Sequence, residues 1–178
     1  MTRDNTEIRT NCNLEDDDLL IFYGLTDFTF ATDKLIKKLD ILNTNHKELK
    51  IIFSIFLKPY IPKREYFRFI PEDDQESQDY LAASDLVIGK VGYGMVSECV
   101  AYEKPLIYTT RKDFLEDKGL AKGIETFGKG KYYEPKTLLN GKFENLVNLT
   151  HELNKKPISN KIAINGAYEV FKIIKKFI

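Results

Sequence analysis

Short apolar runs alternate along this chain with stretches of helical spacing. Leu19 to Tyr23 is the first run, ended by Gly24, and it predicts a strand. A loop over Gly24 to Thr32 follows. Thr32 or Asp33 then caps a helix from about Lys34 to Leu42, with Leu35, Ile36, Leu39 and Leu42 at helical spacing. Ile51 to Leu57 predicts a second strand, broken by Pro59 and Pro62. Tyr66 to Ile70 predicts a third, closed by Pro71. The acidic stretch Glu72 to Glu76 leads into a short helix from Ser77 to Ala83.

Strand four is expected over Asp85 to Ile88. Gly89, Gly92 and Gly94 come next, and a helix from Met95 to about Glu103. Pro105 to Tyr108 predicts strand five. Asp117 to Phe127 predicts a helix, with Gly128 beyond its end. Lys131 to Glu134 predicts a sixth strand, ended by Pro135. Phe143 to Leu153 and Asn160 to Phe177 predict amphipathic helices.

Strands that are apolar on both faces and alternate with helices specify a parallel sheet. The expected fold is therefore α/β: a single doubly wound, Rossmann-like parallel sheet of about six strands. In such sheets ligands bind outside the carboxyl ends of the strands, near the topological switch point. Gly24, the glycine turn and the loop after Tyr108 all fall at strand carboxyl ends, so they are expected to line one crevice. Residues 1–18 are polar and acidic and are expected to form a linker or a short polar helix, with residues 19–178 as one domain.

Composition narrows the function classes. The chain has 178 residues, 27 basic and 27 acidic side chains and a formal net charge of zero. It carries no basic footprint for nucleic acid. The cluster Lys172, Lys175 and Lys176 reads as the solvated face of a terminal helix. No apolar run approaches the ~20 residues of a membrane span. Cys12 and Cys99 have no metal-ligand spacing, and a reducing cytoplasmic setting is the simplest expectation. His46 and His151 sit among polar neighbours and are not expected to act as general bases. No serine has a nucleophile-elbow context. No metal cluster is visible, and no metal or cofactor is expected.

The chemistry is concentrated in Asp85-Leu-Val-Ile-Gly-Lys-Val-Gly-Tyr-Gly-Met-Val-Ser-Glu98. A strand, a glycine turn and a helix start bring unpaired N–H groups and the positive end of a helix dipole to one place, which suits an anion. Three alternatives stand beside this anion-site reading. The turn is also compatible with a plain strand-to-helix connection. Gly92-x-Gly94-x-x-Ser97 partly matches a dinucleotide fingerprint, although that fingerprint follows the first strand of its unit. Taken alone, Glu98 reads as a solvated helix carboxylate.

The run from Ala82 to Glu98, followed by Ala101-Tyr-Glu-Lys-Pro-Leu-Ile-Tyr108, resembles the carboxy-terminal, donor-binding half of GT-B glycosyltransferases, above all family 28 with its MurG-like members. It is also similar to the glycosyltransferase-like half of plant L-arabinokinases. The resemblance implies a domain that binds a nucleotide-sugar, a UDP-sugar by expectation, as substrate. The turn glycines correspond to Gly92 and Gly94, with amides facing the diphosphate. Ser97, or the site of Met95, corresponds to a small hydroxyl residue. Glu98 corresponds to the helix carboxylate that bonds ribose. Lys90 takes the place of a basic residue before the turn, and Gly24 matches a glycine ending the first strand. Arg111 is a second candidate partner for phosphate.

Glu116 and Asp117 fall near the family's sugar-contacting acidic-amide pair, but the amide is absent. By their own pattern they read as a helix amino-terminal signature. A complete enzyme of this type has an acceptor-binding half that supplies the catalytic base. This chain begins about where the linker between the halves falls, so no catalytic residue is expected on it. An acceptor-binding subunit, or self-association through an apolar wall near Phe28, Phe30 and Phe114, is expected to complete it. The other expectation is a non-catalytic nucleotide-binding or interaction module, or a truncated remnant.

Overall fold

A computed structural model describes residues 3–25, 33–74, 76–141, 143, 145–161 and 165–176. The expected Thr32 cap and the aromatics Phe28 and Phe30 lie outside them. Six parallel strands form one sheet: β1 (Leu19–Tyr23), β2 (Leu49–Phe53), β3 (Phe67–Phe69), β4 (Leu86–Lys90), β5 (Leu106–Thr109) and β6 (Gly130–Tyr132). Their order is β3-β2-β1-β4-β5-β6. The chain steps outward in one direction from β1 and in the other from β4, so the switch point lies between those two strands.

The strand sequence explains its position. All five residues of β1 are buried, because both faces of the central strand are covered. Leu19, Ile21 and Tyr23 face one core, and Leu20 and Phe22 face the other. The first core is closed by α2 (Asp33–Asn45), α6 (Pro135–Leu139) and α7 (Leu146–Lys155) through Leu35, Leu39, Leu138 and Leu153. The second is closed by α1 (Asn5–Asn11), α3 (Ser77–Ala83), α4 (Tyr93–Ala101) and α5 (Leu115–Phe127) through Ile8, Leu81, Val100 and Ile124. The last helix, α8 (Gly166–Ile174), keeps Tyr168, Val170 and Phe171 exposed.

Several boundaries differ from the sequence pattern for identifiable reasons. The apolar run after β2 leaves the sheet at Ser54 and becomes a 3-10 turn over Ile55–Leu57, because it has passed the sheet's carboxyl edge. Pro135 does not merely end β6; it opens α6 from the first helical position, where its missing N–H costs nothing. The first eighteen residues contain α1, whose Ile8 is fully buried against the second core.

Among the described residues four helices, α1, α4, α5 and α6, are followed by left-handed residues, Asn13, Glu103, Gly128 and Gly141. Gly128 follows α5 with φ of 97°. Glu103 follows α4 with φ of 57°, while the Lys104 amide reaches back to Cys99 O at 2.8 Å and the Glu103 amide to Val100 O at 3.3 Å. That pair of bonds is a Schellman closure with glutamate where glycine is usual.

Candidate functional site

The carboxyl ends of β1 and β4 meet at the switch point. The Gly24 amide donates to Ile88 O at 2.7 Å, which continues the β1–β4 pairing past Tyr23. Above this junction lies the side chain of Met95, from the first turn of α4. A Cβ at Gly24 would stand 2.5 Å from Met95 Cε, and one at Gly89 would stand 3.1 Å from the same atom. Gly24 and Gly89 are therefore glycines because Met95 packs where their side chains would be.

Gly92 and Gly94 are different. Gly92 is the N-cap of α4 with φ of −129°, and Gly94 lies in the helix's first turn. A Cβ at either would meet nothing within 4 Å. The domain's own packing demands neither glycine, and both leave the backbone at the helix start open to approach. The first-turn amides of α4 have no capping side chain, since glycine at the N-cap supplies none.

Beside this helix start is a cavity of about 460 Å³. Its floor and walls come from strand ends and helices brought together by the sheet: Phe22 and Tyr23 at the end of β1 and Gly24 after it, Ser54 to Phe56 after β2, and Ile70, Glu72 and Asp74 after β3. Ser77 of α3 and Met95 and Glu98 of α4 complete it. Apolar and aromatic side chains alternate with hydroxyls and carboxylates, and among the described residues no basic side chain lines it. A diphosphate does not suit that lining, whereas an uncharged ring with hydroxyl groups does.

Glu98 faces this cavity from α4 at half-burial, and burial raises its carboxyl above the ordinary glutamate value. A half-buried carboxylate without a cation has unused acceptor capacity. Such a group can accept hydrogen bonds from hydroxyl donors. Ser97, on the neighbouring face of α4, is exposed. Lys90 ends β4, paired in register with Thr109 of β5.

The β5–α5 loop holds its own charges together. The Arg111 amide donates to Asp117 Oδ2 at 2.6 Å, and Nη2 donates to Asp117 Oδ1 at 2.5 Å and to Glu116 Oε1 at 2.6 Å. The guanidinium also lies 3.8 Å from the centre of the Phe114 ring. Burial pushes the Asp117 carboxyl up, but bonds from the Arg111 side chain and backbone outweigh it and hold the carboxyl below the usual range. Arg111, Glu116 and Asp117 thus brace a loop.

The structure brings Gly24 and Glu98 into one cavity, with Gly92 and Gly94 at the start of the same helix as Glu98. Arg111, Glu116 and Asp117 do not line that cavity. The sequence reading missed Ser54, Phe56 and Ser77 as lining residues. The signal for them is position at the sheet's carboxyl edge: Ser54 directly follows β2, Phe56 lies in the 3-10 turn after it, and Ser77 opens α3. Among the described residues no group of histidine, cysteine and acidic side chains is arranged to hold a metal ion, and no helix is long and apolar enough to cross a membrane.

Comparison with known proteins gives this geometry a family. The model of the glycosyltransferase family 28 C-terminal domain matches residues 42–174. MurG of Acinetobacter baumannii superposes with a TM-score of 0.65 at 17% identity, covering 98% of this chain and 53% of that one. MnaA of S. aureus, solved with UDP, gives 0.67 at 13% identity, covering 99% of this chain and 50% of that one. L-arabinokinase of Arabidopsis thaliana is 36% identical over 70 residues, which is 39% of this chain and 7% of the plant protein. The chain thus spans about half the length of these solved relatives and a small part of the plant enzyme.

Proposed function

This chain belongs to the glycosyltransferase family 28 C-terminal domain family, and from that membership we propose that it binds a nucleotide-sugar donor, a UDP-sugar, for glycosyl transfer. The nucleoside end occupies the cavity. Glu98 accepts hydrogen bonds from the ribose hydroxyls, and the base lies among Phe22, Ile70 and Phe56. The diphosphate sits outside the cavity, at the start of α4, against the open backbone of Gly92 and Gly94. Lys90, two residues before the helix cap, offsets its charge. The observation that carries the reading is the placement of Glu98 in the cavity within two helical turns of that open helix start.

Transfer would then be a direct displacement at the anomeric carbon, with UDP as leaving group. A base activating the acceptor hydroxyl would come from an acceptor-binding half, since chains of this fold are about twice as long. The exposed Tyr93, Phe114 and Leu115, at 75%, 49% and 86% exposure, lie at the starts of α4 and α5 and are available to such a partner. Cys12 and Cys99 are both buried free thiols, compatible with a reducing cytoplasm.

Titration calorimetry with UDP, UDP-sugars and GDP tests the reading. UDP binding that Glu98→Ala and Gly94→Val each weaken is the expected result. Absence of binding at millimolar nucleotide overturns it. A second reading is a non-catalytic nucleotide-binding or interaction module of the same fold. Sugar transfer from a UDP-sugar after adding an acceptor-binding partner excludes that reading.

A further inference from the structure

The amino-terminal segment reaches the cavity wall through Arg3. Arg3 Nη2 donates to Asp74 Oδ2 at 2.5 Å, and Arg3 Nε donates to Asp79 Oδ2 at 2.7 Å. Asp74 lines the cavity, while Asp79 lies in α3 with 3% exposure. The Tyr80 hydroxyl donates to the same Asp74 oxygen at 2.6 Å, and the guanidinium carbon lies 5.6 Å from the centre of the Tyr80 ring. The remaining Asp74 oxygen accepts from the Glu76 amide at 3.2 Å. Burial raises the Asp74 carboxyl, but the bonds from Tyr80, Arg3 and Glu76 outweigh it and hold it ionised below the usual range.

Arg3 is delivered from a fixed base. Five residues on, Ile8 of α1 is fully buried against the second core. Arg9 donates to Ala83 O at 3.3 Å and to Asp18 O at 2.5 Å, tying α1 to the end of α3 and the entry to β1. Without Arg3, Asp79 keeps a buried carboxylate that has lost its guanidinium partner, and the turn carrying Asp74 is tied to α3 by the Tyr80 hydroxyl but no longer by a charge pair. Leaving a buried charge unpaired is costly, so the local structure shifts to relieve it.

We infer that Arg3 is a positioning residue of the ligand cavity: by joining Asp74 to Asp79 it holds the wall after β3 against α3 in the shape that admits the nucleoside. Asp74 is then a structural member of the wall, because both its oxygens are already engaged inside the protein. The ligand part of this inference rests on the nucleotide reading of the cavity; the clamp itself does not.

Two measurements on Arg3→Ala, Arg3→Lys and Asp74→Asn separate the parts. The first is amide exchange without nucleotide. The Asp74 and Glu76 amides of Arg3→Ala are expected to exchange about tenfold faster, with Val87 in β4 unchanged. The second is UDP affinity, expected to fall about fivefold in Arg3→Ala and in Asp74→Asn, and to recover in part in Arg3→Lys, which restores one donor. Unchanged exchange at Asp74 and Glu76 overturns the clamp. Faster exchange everywhere, β4 included, assigns Arg3 to global stability and overturns it too. Faster local exchange with unchanged UDP affinity overturns the positioning role. If the unaltered protein binds no UDP, the nucleotide reading fails, and the clamp is judged on exchange alone.

Discussion

Met95 closes over Gly24: a Cβ on Gly24 would lie 2.5 Å from Met95 Cε and 3.0 Å from Phe22 Cε1. This contact fixes how near α4 stands to the end of β1, and so where Glu98 meets the cavity. A methyl at position 24 meets the flexible end of Met95, which is able to turn aside. A branched side chain also meets Phe22 and the Ile88 carbonyl, 3.5 Å away. Gly24→Val is therefore expected to push Met95 into the cavity and weaken UDP binding at least tenfold, with a stability loss of about 1–3 kcal/mol from overpacking. Gly24→Ala is expected to keep most of both. Calorimetry and denaturant melts of the two variants check this.

Glu98 carries a stability cost that the proposed nucleotide is expected to relieve. Its folded carboxyl titrates above the ordinary glutamate value because burial disfavours the charge. A carboxyl raised on folding contributes stability below its unfolded pKa and loses it as pH rises through the folded value. At neutral pH the ionised group is the disfavoured form. Glu98→Gln is therefore expected to leave stability unchanged or slightly higher at pH 7, while UDP affinity falls roughly tenfold to a hundredfold through lost charge-assisted hydrogen bonds. Thermal melts from pH 4 to pH 8, paired with UDP titrations, read both effects.

Asp117 has the opposite sign. Arg111 holds its carboxyl below the usual range despite burial. Its contribution is present above the unfolded aspartate value, near 3.9, and is lost as pH falls through the folded one. Asp117→Asn is expected to cost about 2 kcal/mol at pH 7, because the Arg111 amide and guanidinium lose a charged acceptor. The difference from the unaltered protein should shrink as pH falls below 4. If Asp117 instead contacts the sugar, UDP-sugar and UDP affinities will diverge in this variant; equal affinity changes support the loop-brace role.

The strand and helix pattern around the site was legible because a parallel strand buried on both faces leaves a continuous apolar run, and Leu19 to Tyr23 is one. A helix after the glycines was legible too, but not its start: the pattern opened it at Met95, whereas α4 opens at Tyr93 with Gly92 as its cap and takes in Gly94. What each glycine does was not legible either. Gly24 and Gly89 serve Met95 only because β1 and β4 pair, a contact between positions far apart in sequence. The Arg3 clamp depends on residues more than seventy positions away. Arg111, Glu116 and Asp117 were ligand candidates through the family resemblance, while Glu116 and Asp117 read by their own pattern as a helix start; that the three bond one another shows only in side-chain geometry. Pro135 and Phe56 were misjudged because an apolar or proline residue at a sheet's edge does not announce whether the chain continues as strand or turns.

Glu103 offers a test of the fold that leaves the site alone. It closes α4 at φ of 57°, a conformation that costs a side-chain residue roughly 1 kcal/mol or more and costs glycine little. Replacement by glycine also enlarges the unfolded ensemble, which offsets part of the gain. Glu103→Gly is therefore expected to stabilise the protein by about 0.5–1 kcal/mol. Gly128 is the mirror case. It is already glycine at φ of 97°, and a Cβ there would stand 2.8 Å from Ser159 Oγ and 3.2 Å from the Pro157 carbonyl. Gly128→Ala is expected to cost about 2 kcal/mol, from the backbone penalty plus the displaced segment after α7. Denaturant melts of the two single variants should move in opposite directions with an unchanged slope. A stabilising Gly128→Ala would mean that the turn after α5 is not the left-handed closure described above.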